Sequence, residues 1–107
     1  MSQQVYIYTA RADWSIAETA FQLAQLPLSD QRYSQRYTHP LRLRSFVASR
    51  LLLRQALTDL EDKSSSEWLF DYSHRRLQLN RHQTDWQTSL SHSEEWVACV
   101  LAKTDYC

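Results

Sequence analysis

The chain contains no glycine among its 107 residues, where about 7% would be average. That excludes glycine-rich phosphate loops of the P-loop and dinucleotide-binding kinds, which need backbone that only glycine supplies. A phosphate bound here has to be held mainly by side chains. Cysteine is nearly as scarce: Cys99 lies within an apolar run and Cys107 is the last residue. Two such positions give neither a disulfide framework nor metal-ligand spacing. The longest apolar run, residues 96–102, is far short of the ~20 residues a membrane-spanning helix requires, and no basic segment leads into an apolar one at the N-terminus. The expectation is a soluble, cytoplasmic protein with no membrane partner.

What is present points to a single packed domain over residues 1–107. Hydrophobic residues make up 43% and there are four tryptophans, a composition opposite to that of disordered chains. Twelve basic residues balance twelve acidic ones, so net charge alone predicts no polyanionic partner. The distribution is uneven, however. Arg32, Arg36, Arg42, Arg44, Arg50 and Arg54 fall between positions 31 and 55 with no Asp or Glu among them, and acidic residues follow from Asp59 onward. This basic block is suited to phosphate. Tyr33 and Tyr37, interleaved with it, would suit stacking on single-stranded nucleic acid. The near-neutral pI of about 6.9 and the lack of a recognised reading module argue against a nucleic-acid partner.

Periodicity gives the order of elements. "QVYIYTA" (4–10) alternates Val5 and Ile7 with Tyr6 and Tyr8 and reads as a strand. Ser15 and Glu18 form a capping-box pattern ahead of Ile16, Ala20, Leu23 and Ala24 at helical spacing. Pro27 ends that helix, and Ser29 or Asp30 is placed to cap a short one through Tyr37. Pro40, at a first-turn position, starts a long helix in which Leu43, Phe46, Val47, Leu53, Leu57 and Leu60 share a stripe. Arg50 falls inside that stripe and requires a carboxylate or carbonyl partner, which makes it a structural tie ahead of a ligand contact; the other helix arginines are expected to be solvated or snorkelling. "WLFDY" (68–72) and "LQLN" (77–80) read as a hairpin, and residues 96–102 as a central strand covered on two sides. The fold class is α+β, and a sheet that ends on its most apolar strand looks unfinished at that edge.

Chemistry is concentrated at Ser91 and His92. Neighbouring side chains on an extended backbone point to opposite faces, so the pair is poorly placed as an activated nucleophile. It can act as a phosphate grip of hydroxyl, imidazole and free backbone N–H, or simply be a turn serine and a half-exposed histidine. His39, His74, His82 and His92 are too scattered for a metal site.

"RLRSFVASRLLLRQAL" (42–57) and "SLSHSEEWVACVLA" (89–102) together resemble the N-terminal half of the Sfp-type 4′-phosphopantetheinyl transferases. In that family an arginine-rich helix carrying a phenylalanine precedes a Ser-His-Ser strand. "LSDQRYSQRY" (28–37) and "WLFDYSHRRLQL" (68–79) look like the family's leader and central hairpin. The resemblance implies one half of a pseudo-dimer, a small, mostly antiparallel sheet packed against a long helix, with coenzyme A and Mg²⁺ lying between the halves. It implies transfer of phosphopantetheine from coenzyme A to a serine of an acyl or peptidyl carrier protein. By matching positions it assigns Arg44 to coenzyme A, with Arg32 or Arg36 assisting, and Ser91 and His92 to its phosphates. Arg75 (or Arg76) stands where relatives have Gly-Lys-Pro, and Asp30 and Tyr33 stand near their lysines. The family's Gly-x-Asp-x-Glu segment, which carries the Mg²⁺ ligands, and its Trp-x-x-Lys-Glu helix do not occur before Cys107. The expectation is therefore a coenzyme-A-binding half, inactive alone and completed by a C-terminal half or a second copy. The alternative is a non-catalytic module that homodimerises through its final strand.

Overall fold

The computed structural model describes residues 2–61, 70–72, 77–79 and 84–105. The chain is α+β, with β1 (Ser2–Arg11), α1 (Ile16–Leu23), α2 (Leu28–Ser34), α3 (Pro40–Glu61), β2 (Phe70–Asp71), β3 (Gln78–Leu79), β4 (Gln87–Ser93) and β5 (Trp96–Asp105) in sequence order. β1, β5 and β4 form an antiparallel sheet in that spatial order, and β2 and β3 form a separate two-stranded ladder. None of the described helices is long and apolar enough to cross a membrane.

α3 packs across one face of the three-stranded sheet. Val97, Cys99 and Leu101 of β5 meet Ala48, Leu52, Leu53, Ala56 and Leu57 of the helix. Leu53, Leu57, Cys99 and Leu101 are wholly withdrawn from solvent; burying a leucine of this kind contributes about 1.5–3 kcal/mol. A second cluster of Leu26, Phe46 and Val47 joins α3 to the α1–α2 layer. The stripe read along 41–60 is therefore the core stripe, with Phe46, Val47, Leu53 and Leu57 buried. Burial also pushes the Cys99 thiol up to about 11.

The last strand is central, as expected, but it neither leaves an unfinished edge nor is covered on both faces. Both edges of β5 are paired, with β1 from Ser2↔Asp105 to Arg11↔Trp96 and with β4 from Gln87↔Ala102 to Ser93↔Trp96. β5 is central, so it has no free edge through which a second copy could add. It is also covered on one side only. The face opposite α3 is open, leaving Val5 54%, Ile7 69% and Trp96 54% exposed. The β4–β5 turn is Glu94–Glu95, and Glu94 takes φ = 53°, a left-handed conformation that a glycine would adopt at lower cost. With no glycine in the chain, a glutamate fills this position.

The smaller elements show further departures. Ser15 caps α1 through Oγ, accepting from the Glu18 N–H at 3.1 Å, but the Glu18 carboxylate accepts from Gln22 and does not reach back to the cap. Ile16, Ala20 and Ala24 are exposed, and Thr19 is the buried residue of that helix. α2 starts after Pro27, an N-cap with no side-chain acceptor; Ser29 and Asp30 lie inside the helix, and Asp30 is wholly buried. The expected hairpin exists as Phe70↔Leu79 and Asp71↔Gln78; Trp68, Leu69 and Asn80 lie outside the described residues.

Candidate functional site

The two flanks of α3 open onto different cavities. Residues on a helix advance ~100° each, so Arg42, Ser45, Ser49 and Arg50 share one flank while Arg44, Leu51 and Gln55 lie on another. The first flank faces β4 across an open cleft of about 1080 Å³, whose far wall includes Ser89, Ser91 and His92 and whose lining also includes the rings of Tyr33, Tyr37 and Trp86. Register places Ser91 opposite Ala98 and His92 opposite Val97. The histidine thus projects toward the α3 side and the serine toward the open side, yet both line the cleft because β4 borders it. Among the described residues lining it, Arg42 and Arg50 are cationic and Asp85 is the one carboxylate. Hydroxyls, arginines and ring faces together suit a phosphate ester carrying an aromatic group.

Behind this wall runs a buried polar network. Arg54 Nη2 donates to Asp30 Oδ2 at 2.8 Å, and Arg54 Nε to the same oxygen at 3.2 Å. The Tyr72 hydroxyl donates to Asp30 Oδ1 at 2.8 Å and accepts from Arg50 Nε at 3.0 Å. Arg50 Nη1 donates to Ser49 Oγ at 3.0 Å, and the Arg50 guanidinium lies 4.6 Å from the centre of the Phe46 ring. Burial raises the Tyr72 hydroxyl well above its ordinary value; the Asp30 carboxylate adds to this and Arg50 opposes it. Burial likewise raises Tyr37. Tyr33 stacks on Tyr72 at 4.2 Å between ring centres, linking α2 to the segment after β2.

Two expectations for the helix arginines are corrected here. Arg54, expected to be solvated, is 3% exposed and ion-paired. Arg50 is buried as expected, but its partners are two hydroxyls; the nearby carboxylate goes to Arg54.

Of the residues assigned from sequence, Ser91 and His92 come together in the cleft. Arg44 does not line it: its Nη1 donates to the Trp14 carbonyl at 3.4 Å. Arg32 and Arg36 are exposed around the end of α2, and Arg36 lies over the Tyr33 ring at 4.6 Å. Neither is part of the cleft wall. Arg75 lies outside the described residues. Sequence reading places Arg42 in the basic block without assigning it to the site and passes over Ser45 and Ser49, although their i+3 and i+7 spacing from Arg42 marks a polar flank.

A second cavity of about 840 Å³ lies between α1, α3 and the end of β1, lined by Trp14, Leu26, Leu51 and the amides of Gln22, Gln25 and Gln55. Among the described residues no three His, Cys, Asp or Glu side chains converge as a bound cation would require. These residues do not supply a Mg²⁺ site. In comparison with known proteins, neither a protein-family model nor a curated sequence matches this chain.

Proposed function

We propose that the α3–β4 cleft binds coenzyme A and that the chain acts as the coenzyme-A-binding half of a phosphopantetheinyl transferase. The observation that carries this reading is the convergence of Ser91 and His92 on β4 with Arg42 and Arg50 on α3 across one cleft. In this role the chain's residues bind and orient the substrate. The arginines neutralise phosphate charge, the His92 imidazole donates a hydrogen bond from the α3 side of β4, Ser91 borders the cleft, and Tyr37 or Trp86 offers a face for adenine. Phosphoryl transfer depends mostly on such positioning and charge neutralisation. The acceptor would be a serine of an acyl or peptidyl carrier protein, in the cytoplasm, with the remaining acids supplied by a second half.

Calorimetric titration with coenzyme A tests the proposal. The expected Kd is about 1 mM or tighter, weakening as ionic strength rises from about 0.1 to 1 M and the screening length contracts from about 10 to 3 Å. His92→Ala should weaken binding. No detectable binding at several times that concentration would remove the reading.

The open sheet face favours a second reading, a non-catalytic homodimer. Val5, Ile7 and Trp96 form an exposed apolar surface, of the kind that marks interaction sites. A second copy meeting this face would cover these residues, whereas it could not add to β5, whose edges are taken. Sedimentation velocity separates the two: a stable dimer that ignores coenzyme A supports the second reading.

A further inference from the structure

A buried arginine is ordinarily matched by a carboxylate, because an uncompensated charge away from water is expensive. Arg50 is 8% exposed, and its two hydrogen bonds go to the neutral hydroxyls of Tyr72 and Ser49. Asp30, the carboxylate of the network, gives both oxygens to Arg54 and Tyr72. Among the described residues Arg50 forms no ion pair, and its Nη2 is neither hydrogen-bonded nor sealed from solvent. The guanidinium is nevertheless fixed. Nε is held by Tyr72, Nη1 by Ser49, and one face rests on Phe46 at 4.6 Å. A planar cation is thus locked from behind, with its remaining donors at the wall of a cleft that also presents Arg42 and Ser45.

We infer that the free edge of Arg50 is an oxyanion subsite of the α3–β4 cleft that takes a phosphate ester or diphosphate, with Tyr72 as the residue that positions it. The inference rests on the reading of this cleft as a phosphate-binding site and names the group that grips the anion. Arg50 can do so bidentately, because a guanidinium presents parallel N–H donors that match two phosphate oxygens. Its geometry costs little to organise on binding, since Tyr72 and Ser49 already hold it. The incoming anion supplies the negative charge that the fold withholds. Asp30 acts one step further back, orienting the Tyr72 hydroxyl so that its lone pair faces Arg50 Nε.

The experiment is isothermal titration with inorganic pyrophosphate, coenzyme A and dephospho-coenzyme A against the wild-type chain, Arg50→Lys, Tyr72→Phe and the double variant, each checked for its fold by near-ultraviolet circular dichroism. Arg50→Lys keeps the charge but loses the fork, and is expected to weaken pyrophosphate about tenfold. Tyr72→Phe is expected to weaken it about threefold in the wild-type background and not at all in Arg50→Lys, an interaction that a merely structural role would not produce. Loss confined to coenzyme A, with dephospho-coenzyme A and pyrophosphate unchanged, would assign Arg50 to an isolated phosphomonoester and support the subsite in that form. Weakened pyrophosphate without any coenzyme A binding supports the subsite and removes the transferase reading. Wild-type affinity of folded Arg50→Lys for all three ligands overturns the inference, even where coenzyme A still binds through Arg42 and His92. So does failure of the wild-type chain to bind any of them.

Discussion

Arg50 and Arg54 stand one helical turn apart on α3 and are similarly withdrawn from solvent, at 8% and 3% exposure. They differ in what faces them. Arg54 meets the Asp30 carboxylate at 2.8 Å, and its guanidinium lies over Phe70 at 4.2 Å. Arg50 meets hydroxyls and an open cleft. Burial alone therefore does not define an arginine's role. A paired buried charge ties elements of the fold together, here α2 to α3, while an unpaired one at a cavity wall is a place for a ligand anion.

The strongest way to break this comparison is to remove the carboxylate. Asp30→Asn leaves Arg54 buried without its counter-charge and should destabilise the fold by about 3–5 kcal/mol, measured by urea unfolding. Arg50→Met, which removes a cation that has no carboxylate to strand, should cost about 1–2 kcal/mol through the two lost hydrogen bonds. Equal losses in the two variants would show that the arginines are not distinct in kind.

A pH titration probes the closed side of α3, where Cys99 packs. Its thiol is raised from 9.0 to about 11 in the fold, so the folded state disfavours the thiolate relative to the unfolded chain. The associated stability is fully present below pH 9 and is lost as pH rises through 11. Two units correspond to about 3 kcal/mol. Tyr72 and Tyr8 act in the same direction from pH 10 upward, with Tyr8 pushed up to about 12 by burial and by its hydrogen bond to Asp59. Alkaline unfolding of Cys99→Val should therefore lose the slope between pH 9 and 10, weaken it between 10 and 11, and keep it above 11. Tyr72→Phe should reduce only the slope from pH 10 upward.

How far the sequence reaches follows from the same residues. The long helix was legible because Phe46, Val47, Leu53 and Leu57 repeat with the helical period, and β1 and β5 were legible as alternating or wholly apolar runs. β4 was harder to see from pattern alone: Trp86, Thr88 and Leu90 alternate, but Thr88 is a weak apolar signal and Ser91 to Ser93 carry none. The α1 face was misread because period locates a stripe without saying which neighbour covers it, and Ile16 ends up exposed. The Asp30–Arg54 pair joins residues 24 positions apart, a separation that no local rule spans. Arg42 and Arg44 look equivalent in sequence; only the roll of α3 against β4 and Trp14 separates them.

That separation gives a smaller binding effect. Arg42→Ala should weaken pyrophosphate about threefold to tenfold, as loss of one exposed phosphate contact would, while Arg44→Ala should have a lesser effect. The reverse order would move the anion site to the other flank of α3 and detach it from Ser91 and His92.

The smallest expected effect serves to separate stability from binding. Glu94 holds φ = 53° in the β4–β5 turn, where an L-residue other than glycine pays about 1–2 kcal/mol of steric cost, partly offset by glycine's greater loss of chain entropy. Glu94→Gly should therefore stabilise the fold by about 0.5–1 kcal/mol, read as a rise in the urea midpoint at constant slope. Because the turn touches neither Arg50 nor Arg54, pyrophosphate affinity should stay the same. If affinity rose with stability, the losses expected for Tyr72→Phe and Arg50→Lys could arise from loosening of the whole sheet, and the two arginines would have to be compared in variants matched for stability.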